Sequence, residues 1–162
     1  MLTKGVHFRY LSTQFDAGTS HFKFYGTNAV LEGPYFFANS IYFYDVSFFA
    51  FAGLFSWANV NGTLTFHEYG EMSSSSPGGV PFFNNLVFLN DGYISNANDI
   101  NHLTLSAGKT YTIRDGSGTN GTNQTILSGG SITALGGGTC SEFITIKSWQ
   151  YGTAVAFKNE SG

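Results

Sequence analysis

Residues 82–90 of this chain read FFNNLVFLN, and they match residues 37–45, FANSIYFYD, at an offset of 45 positions. Both segments follow the pattern Phe-x-Asn-polar-aliphatic-x-Phe-x-Asn/Asp. Internal repeats of this kind are typical of proteins that stack copies of one small structural unit. The predicted fold depends on this repeat.

Shorter segments with a polar-apolar-x-apolar pattern recur along the chain. Their first apolar residues are Phe22, Ile41, Leu64, Leu86, Leu103, Ile126 and Ile144. The spacing between these positions averages roughly 20 residues, which is the length of two or three short strands with their turns. Within each segment apolar and polar residues alternate, which places one face of the strand in a core and the other in solvent.

The pattern predicts an all-β fold: a right-handed parallel β-helix, or β-solenoid, with coils of about 20 residues. We expect residues 1–162 to form a single solenoid unit, a fragment of a longer protein. Segments 73–79 and 115–123 are expected to be loops that leave the coil. A β-sandwich is the alternative fold, because it also consists of many short strands, although it does not predict a tandem strand motif.

Glycine is expected at positive-φ corners between the strands, where it carries no steric cost. The expected corners are Gly26, Gly33, Gly62, Gly70, Gly92, Gly108, Gly116, Gly129 and Gly130.

The composition excludes several classes of function. Only 10% of the 162 residues are charged and the net charge is −3, so no basic surface is expected to bind nucleic acid or anionic lipid. No apolar run approaches the roughly 18 residues of a membrane helix, which predicts no membrane insertion.

Residues 1–7, MLTKGVH, do not resemble a signal peptide. The single cysteine, Cys140, excludes an internal disulfide and is expected to fill a small core site.

Titratable residues give little indication of catalysis. The four histidines, His7, His21, His67 and His102, lack the close spacing of metal ligands, so we predict no metal site and no cofactor. Asp45 and Asp91 occupy nearly equivalent positions and could in principle form an acid pair for glycoside cleavage. The favoured interpretation is that they cap turns, which leaves no predicted catalytic residue.

Aromatic residues are unusually abundant, at 17% of the chain. Tyr42 and Tyr44 alternate with apolar residues and should point outward, and Trp57 and Trp149 lie near predicted turns. Exposed aromatic residues can stack on sugar rings or on another protein. We therefore predict Tyr42, Tyr44, Trp57 and Trp149 as ligand-binding residues, the alternative being that further strands or a neighbouring domain cover them.

Four segments resemble repeats of very large secreted surface proteins of the Bacteroidetes type. Residues 15–26, FDAGTSHFKFYG, are similar to their F-x-A-G-T-S-x-V-x-F-x-G unit, and residues 82–88 to their F-x-N-L-x-F unit. Residues 103–113, LTLSAGKTYTI, and residues 140–154 resemble two further units. The resemblance implies an adhesin-like β-solenoid at the cell surface or outside the cell, and it supplies no catalytic residues.

Two functions remain open on the sequence. The first is a non-enzymatic structural or adhesive segment of a secreted cell-surface protein, with a glycan or neighbouring coils and domains as partners. The alternative is a polysaccharide-binding module, or a polysaccharide lyase or hydrolase, on a β-helix scaffold. Only residues 158–162 follow the last apolar segment, so an open C-terminal coil is expected to permit self-association.

Overall fold

The computed structural model describes residues 7–9, 15–16, 18–32, 41–50, 53–56, 59–73, 80–114, 124–137, 142–149 and 155–160. Within these ranges the chain forms strands and no helix, as the sequence predicts. The strands are β1 (His7–Arg9), β2 (Phe15–Asp16), β3 (His21–Phe24), β4 (Val30–Glu32), β5 (Ile41–Phe43), β6 (Asp45–Phe48), β7 (Gly53–Ser56), β8 (Asn59–Phe66), β9 (Gly70–Ser73), β10 (Phe82–Phe88), β11 (Gly92–Ser95), β12 (Asn98–Ser106), β13 (Thr110–Arg114), β14 (Gln124–Leu135), β15 (Thr145–Ser148) and β16 (Phe157–Asn159). The described part of the chain thus has no helix of the length and hydrophobicity that crossing a membrane requires.

The strands form two parallel sheets, and the chain passes repeatedly from one to the other. The first sheet has the order β1-β4-β7-β9-β11-β13-β15. The second has the order β16-β14-β12-β10-β8-β5-β2, with β6 beside β8 and β3 beside β6. Every pair of strands described is parallel. Parallel pairing excludes the alternative β-sandwich, whose sheets are antiparallel.

Two rows of buried residues run along the second sheet, one on each side of a bend in its strands. The first row is Phe43, Val60, Phe83, Ile100 and Ile126, and the second is Val46, Leu64, Leu86 and Leu103. In β10 the residues between the rows are Asn84 and Asn85, which are half-buried. The inner face therefore reads apolar-x-x-apolar-x-apolar, because the bend interrupts the two-residue alternation of a straight strand.

This bend makes part of the predicted register wrong. The repeat match would place Phe43 beside Phe88, but Phe43 shares its row with Phe83 and Phe88 shares its row with Phe48. Both true pairs have the same offset along the chain, and each spans two strand pairings. The match based on residue type aligns a residue before the bend with one after it. Its offset of 45 positions is therefore five larger than the offset between residues that share a row.

Three of the predicted repeat positions also belong elsewhere. Ile41 pairs with Phe15, and Val46 takes its expected place in the row of Leu64. Ile126 lies in the other row, and Ile132 is the residue that pairs with Leu103. Ile144 immediately precedes β15, which belongs to the first sheet.

A column of aromatic rings fills the core along the stacking direction. Phe24, Phe48, Phe66 and Phe88 stack nearly parallel, with centroid distances of 4.8, 5.2 and 4.8 Å between successive rings. Tyr111 meets Phe88 edge to face at 5.7 Å and ends the column. The Tyr111 hydroxyl accepts a hydrogen bond from the backbone N–H of Ser106 at 2.8 Å, which satisfies its polar end inside the core.

The glycines serve two purposes, only one of which was expected. Gly108 and Gly129 have positive φ, as predicted for corners. The corner prediction is wrong at four others, whose φ is not positive: Gly62, Gly70, Gly92 and Gly130. A Cβ atom at Gly92 would lie 2.6 Å from the ring of Phe88, and one at Gly70 would overlap the ring of Phe66. Gly70 and Gly92 thus leave space for the aromatic column.

The last strands expose their inner faces. Ile132 pairs with the buried Leu103 but is itself 48% exposed, and Ile146 pairs with the buried Tyr111 but is 42% exposed. Both side chains thus lie in line with buried residues but are not covered themselves. Among the described strands, β15 is the last of the first sheet, and β16 covers Gln124–Ile126 of β14 but not Ile132.

Candidate functional site

The structure describes the side chains of two of the four predicted ligand-binding residues. Tyr44 lies at the bend between β5 and β6 and is exposed, as expected. Trp149 directly follows β15 and is 61% exposed. The backbone of Tyr42 pairs with Asn59, but its side chain and the whole of Trp57 lie outside the described residues.

Tyr44 and Trp149 lie on separate surfaces. Tyr44 belongs to the second sheet, four strand positions away from β14, whereas Trp149 follows β15 of the first sheet. Because neighbouring strands are about 4.8 Å apart, four positions correspond to roughly 19 Å along the stacking direction. The two aromatic residues therefore mark two surfaces rather than one site.

Trp149 is held in place on the outer face of the first sheet. Its ring meets the ring of Tyr93 edge to face, with centroids 5.7 Å apart and an angle of 85° between the planes. The guanidinium carbon of Arg114 lies 5.7 Å from the centroid of the Trp149 ring. The Trp149 backbone N–H donates to the carbonyl oxygen of Ile113 at 2.8 Å, which extends the pairing of β13 and β15. These contacts position the indole although most of its surface faces solvent.

The outward residues around Trp149 form a small polar and aromatic surface. Tyr93, Thr112 and Lys147 lie side by side on β11, β13 and β15. Arg114 and Trp149 lie two residues further along β13 and beyond β15, and so face the same way. We call these five residues the Trp149 cluster. Tyr93 is only 8% exposed although it points outward, and its contact with Trp149 accounts for part of that burial.

The charge changes sign across the Trp149 cluster. Arg114 and Lys147 are both exposed at its C-terminal side. On its other side, Glu71 of β9 pairs with Tyr93 of β11. Partial burial raises the pKa of the neighbouring Tyr69, and the negative charge of Glu71 raises it further. Glu71 is three strand positions from Lys147, or roughly 14 Å. The cation-bearing side is thus well separated from the acid.

A second aromatic surface lies along the second sheet. The rings of Tyr25 and Phe49 stack at 4.7 Å, and those of Phe49 and His67 stack at 4.0 Å. Tyr25 is exposed, and the other two are half-buried. Each of the three directly follows a ring of the buried column in the sequence, which is the signal that would have predicted this row.

Partial burial also affects the titration of this row. It lowers the pKa of His67, and the nearby His21 lowers it further, while Glu68 acts in the opposite direction. The neutral imidazole is therefore favoured in the stack with Phe49.

The two carboxylates considered as an acid pair both bind backbone groups. Asp45 Oδ1 accepts a hydrogen bond from the backbone N–H of Thr63 at 2.7 Å. Asp91 Oδ1 accepts one from the backbone N–H of Thr110, also at 2.7 Å. The two partners are 18 and 19 residues away along the chain, so each aspartate binds the backbone of a neighbouring strand rather than capping its own turn as the sequence pattern predicts.

Asp99 is a carboxyl group whose surroundings alter its titration. Burial raises its pKa, Glu160 raises it further, and a hydrogen bond from Thr125 acts in the opposite direction. No local sequence pattern distinguishes this residue, because its environment depends on the pairing of β12 with β14 and of β14 with β16. Asp99 lies on the second sheet, away from the Trp149 cluster.

Two of the described histidines contact serines on neighbouring strands. His21 Nε2 lies 2.9 Å from Ser47 Oγ, and His102 Nδ1 lies 3.0 Å from Ser131 Oγ. Across the residues that the structure describes, no three His, Cys, Asp or Glu side chains are grouped so that they could hold a metal ion. Cys140 and the side chain of His7 lie outside the described residues.

Comparisons with protein-family models, with curated protein sequences and with solved structures find no match to this chain.

Proposed function

We propose that this chain is a right-handed parallel β-helix with coils of about 20 residues, and that it is a non-enzymatic structural or adhesive segment of a secreted cell-surface protein. The β-helix is supported by the regular passage of the chain between two all-parallel sheets. Right-handedness follows the general preference of connections between parallel strands of one sheet. The cell-surface location rests on the sequence resemblance of residues 15–26 and 82–88.

The strand pairings support the proposed coil length. Leu64 pairs with Val46 and with Leu86, and Leu86 pairs with Leu103. Each of these partners lies roughly 20 residues from the next along the chain, as expected for two or three short strands and their turns. The step from Leu103 to Ile132 is longer, and it contains the segment 115–123 that the sequence predicts to be a loop leaving the coil.

The single observation that carries the adhesive function is the exposed but positioned indole of Trp149. A solvent-facing aromatic side chain that is already ordered loses little conformational entropy when a ligand binds. The C–H face of a pyranose ring is apolar and weakly positive, so it packs well on the negative face of an indole ring. We therefore infer that the outer face of the first sheet binds saccharides, as a polysaccharide-binding module does.

A catalytic role receives less support from the carboxylates. A glycoside hydrolase uses two carboxyl groups about 5–10 Å apart, and both must be free to exchange protons or attack the sugar. Asp45 and Asp91 instead accept hydrogen bonds from backbone N–H groups. Asp99, whose pKa is raised by burial, is the acid to test for a lyase or hydrolase activity.

A glycan array with the purified chain tests the adhesive function. We expect weak binding to a subset of glycans, lost on Trp149→Ala and retained on Tyr44→Ser, since Tyr44 lies on another surface. Incubation with the same glycans should release no reducing ends or unsaturated sugars. If sugars are released and Asp99→Asn abolishes their release, the function is enzymatic rather than adhesive. If wild type and Trp149→Ala bind glycans equally, Trp149 is not part of the binding site.

We further propose that the isolated chain self-associates through its last strands. Ile132 and Ile146 continue buried rows but are exposed, and edge strands of parallel sheets offer backbone groups for further pairing. A second copy can cover these side chains and extend both sheets. The oligomeric state in solution tests this proposal.

A further inference from the structure

We propose that the Trp149 cluster binds an anionic sugar unit, with the pyranose ring on the indole and the carboxylate near Arg114 and Lys147. The inference rests on the saccharide-binding function proposed above and adds the chemical class of the ligand. One positioned aromatic ring lies beside two exposed cationic side chains, in a chain that has only 7 lysine and arginine residues.

Arg114 and Lys147 are notable because the chain carries few positive charges. The chain has 7 basic and 10 acidic residues and a net charge of −3, so its average field repels anions. Arg114 and Lys147 nevertheless flank the same exposed ring. A guanidinium group binds a carboxylate through two parallel N–H donors, and an ammonium group adds a point charge.

The register gives the surface the dimensions of one sugar ring. Thr112 and Lys147 are paired across β13 and β15, and Arg114 and Trp149 lie two residues further along. Adjacent parallel strands are about 4.8 Å apart, and two residues along a strand span roughly 6.6 Å. The backbone positions of the four residues thus mark the corners of a rectangle about 5 by 7 Å. A threonine, a lysine, an arginine and a tryptophan project outward from these corners.

The surrounding charges orient the ligand. Glu71 lies on the far side of Tyr93, roughly 14 Å from Lys147, and would repel a carboxylate placed there. The anion is therefore expected at the side of Arg114 and Lys147. Thr112, between the two ends, can donate to or accept from a ring hydroxyl.

Two matched ligands test the inference: cellotetraose and β-1,4-linked tetraglucuronic acid, which differ only in a carboxylate in place of each hydroxymethyl group. Isothermal titration with the full chain should show tighter binding of the acidic ligand at low salt. Arg114→Gln and Lys147→Gln should each weaken the acidic ligand by about tenfold, as expected for a charge-assisted contact. The neutral ligand should lose less affinity than the acidic one, and more with Arg114→Gln than with Lys147→Gln, because Arg114 also contacts the Trp149 ring. Lys23→Gln, at an exposed lysine on β3 of the second sheet, is the matched control and should change neither.

The outcomes separate this inference from the general function. If both ligands bind equally and only Trp149→Ala weakens them, the saccharide-binding function holds and the preference for anions is wrong. If neither ligand binds the wild type at millimolar concentration, the inference is refuted, and the glycan array decides the adhesive function independently. If Lys23→Gln weakens binding of the acidic ligand as much as Arg114→Gln does, the attraction is nonspecific and the proposed site is refuted. Circular dichroism of each variant confirms that the fold is intact.

Discussion

Gly92→Ala should destabilise the protein only while the ring of Phe88 is present. The added Cβ would lie 2.6 and 2.7 Å from two ring carbons of Phe88, where ordinary carbon contacts are about 3.5–4.0 Å. The Phe88 ring has no room to retreat, because it is fully buried and stacks on Phe66 at 4.8 Å and against Tyr111 at 5.7 Å. Such overpacking typically costs about 1–3 kcal/mol.

Removal of the ring should reverse the sign of the effect. The three nearest atoms to the new Cβ are all ring carbons of Phe88, and the third is already 3.3 Å away. In a Phe88→Ala background the methyl group therefore fits. Since φ at Gly92 is not positive, Gly92→Ala should then stabilise by about 0.4–1 kcal/mol, because alanine restricts the unfolded chain. The two substitutions should thus be coupled by about 1.5–4 kcal/mol.

Equilibrium urea unfolding of wild type, both single variants and the double variant measures this coupling. Phe88→Ala alone is expected to cost about 3–5 kcal/mol, so midpoints should be compared with the denaturant slope held constant. If Gly92→Ala costs the same free energy with and without the Phe88 ring, the ring is not beside Gly92 and the proposed aromatic column is wrong.

Three further predictions concern register, assembly and pH. Leu103→Asp should unfold the chain, since it buries an unpaired carboxylate in a fully buried row, whereas Thr104→Asp on the same strand should change the unfolding free energy by less than about 1 kcal/mol in thermal melts; equal effects would contradict the register. The wild type should form oligomers in light scattering at high concentration and Ile146→Lys should not; a monomeric wild type would contradict the proposed self-association. Because burial lowers the pKa of His67 in the fold, the unfolded state binds its proton more readily, so this residue should reduce stability as pH falls below about 6.5, and His67→Phe should flatten the stability curve between pH 5 and pH 7, as measured by urea midpoints.

The sequence predicts strands reliably where alternation continues without a break. The predicted strand cores at Leu64 and Leu103 match the observed buried positions, and the flanking Thr65 and Thr104 are half-buried, as expected for the outer face. Alternation succeeds here because a straight strand has a side-chain period of two residues. Partners in the second row lie roughly 20 residues apart along the chain, as the spacing of the repeat predicts, although several of the positions used to obtain that spacing belong to other rows.

The bend in the second sheet limits what residue types alone can predict. Val60 and Leu64 are both inward-facing, but they are separated by three residues in β8, whereas Phe83 and Leu86 are separated by two in β10. Gly62 makes the extra residue possible, since a Cβ there would overlap the carbonyl oxygen of Tyr44. A strict alternation scan crosses such a bulge out of phase. The alignment of Phe43 with Phe88 was wrong for a different reason: phenylalanine occurs on both sides of the bend, at Phe48 as well as Phe43, so residue types alone match the wrong pair.

The candidate site was predictable in part. Trp149 stands out in the sequence because a tryptophan near a turn in a chain of low charge is conspicuous. Its neighbours Tyr93 and Arg114 are distant along the chain, and only the parallel pairing of β11, β13 and β15 brings them to it. No local pattern encodes that proximity.

The central claim is that successive coils stack in parallel, which places Leu86 between Leu64 and Leu103. Nuclear Overhauser contacts in an isotope-labelled sample, observed from the backbone amides of residues 85–88, test it directly. The account predicts parallel-strand contacts to both residues 63–66 and residues 102–105, with the same chain direction on each side. Close contacts between the α-protons of opposed residues, typical of antiparallel pairs, or contacts to only one of the two segments, would contradict the stacked coils.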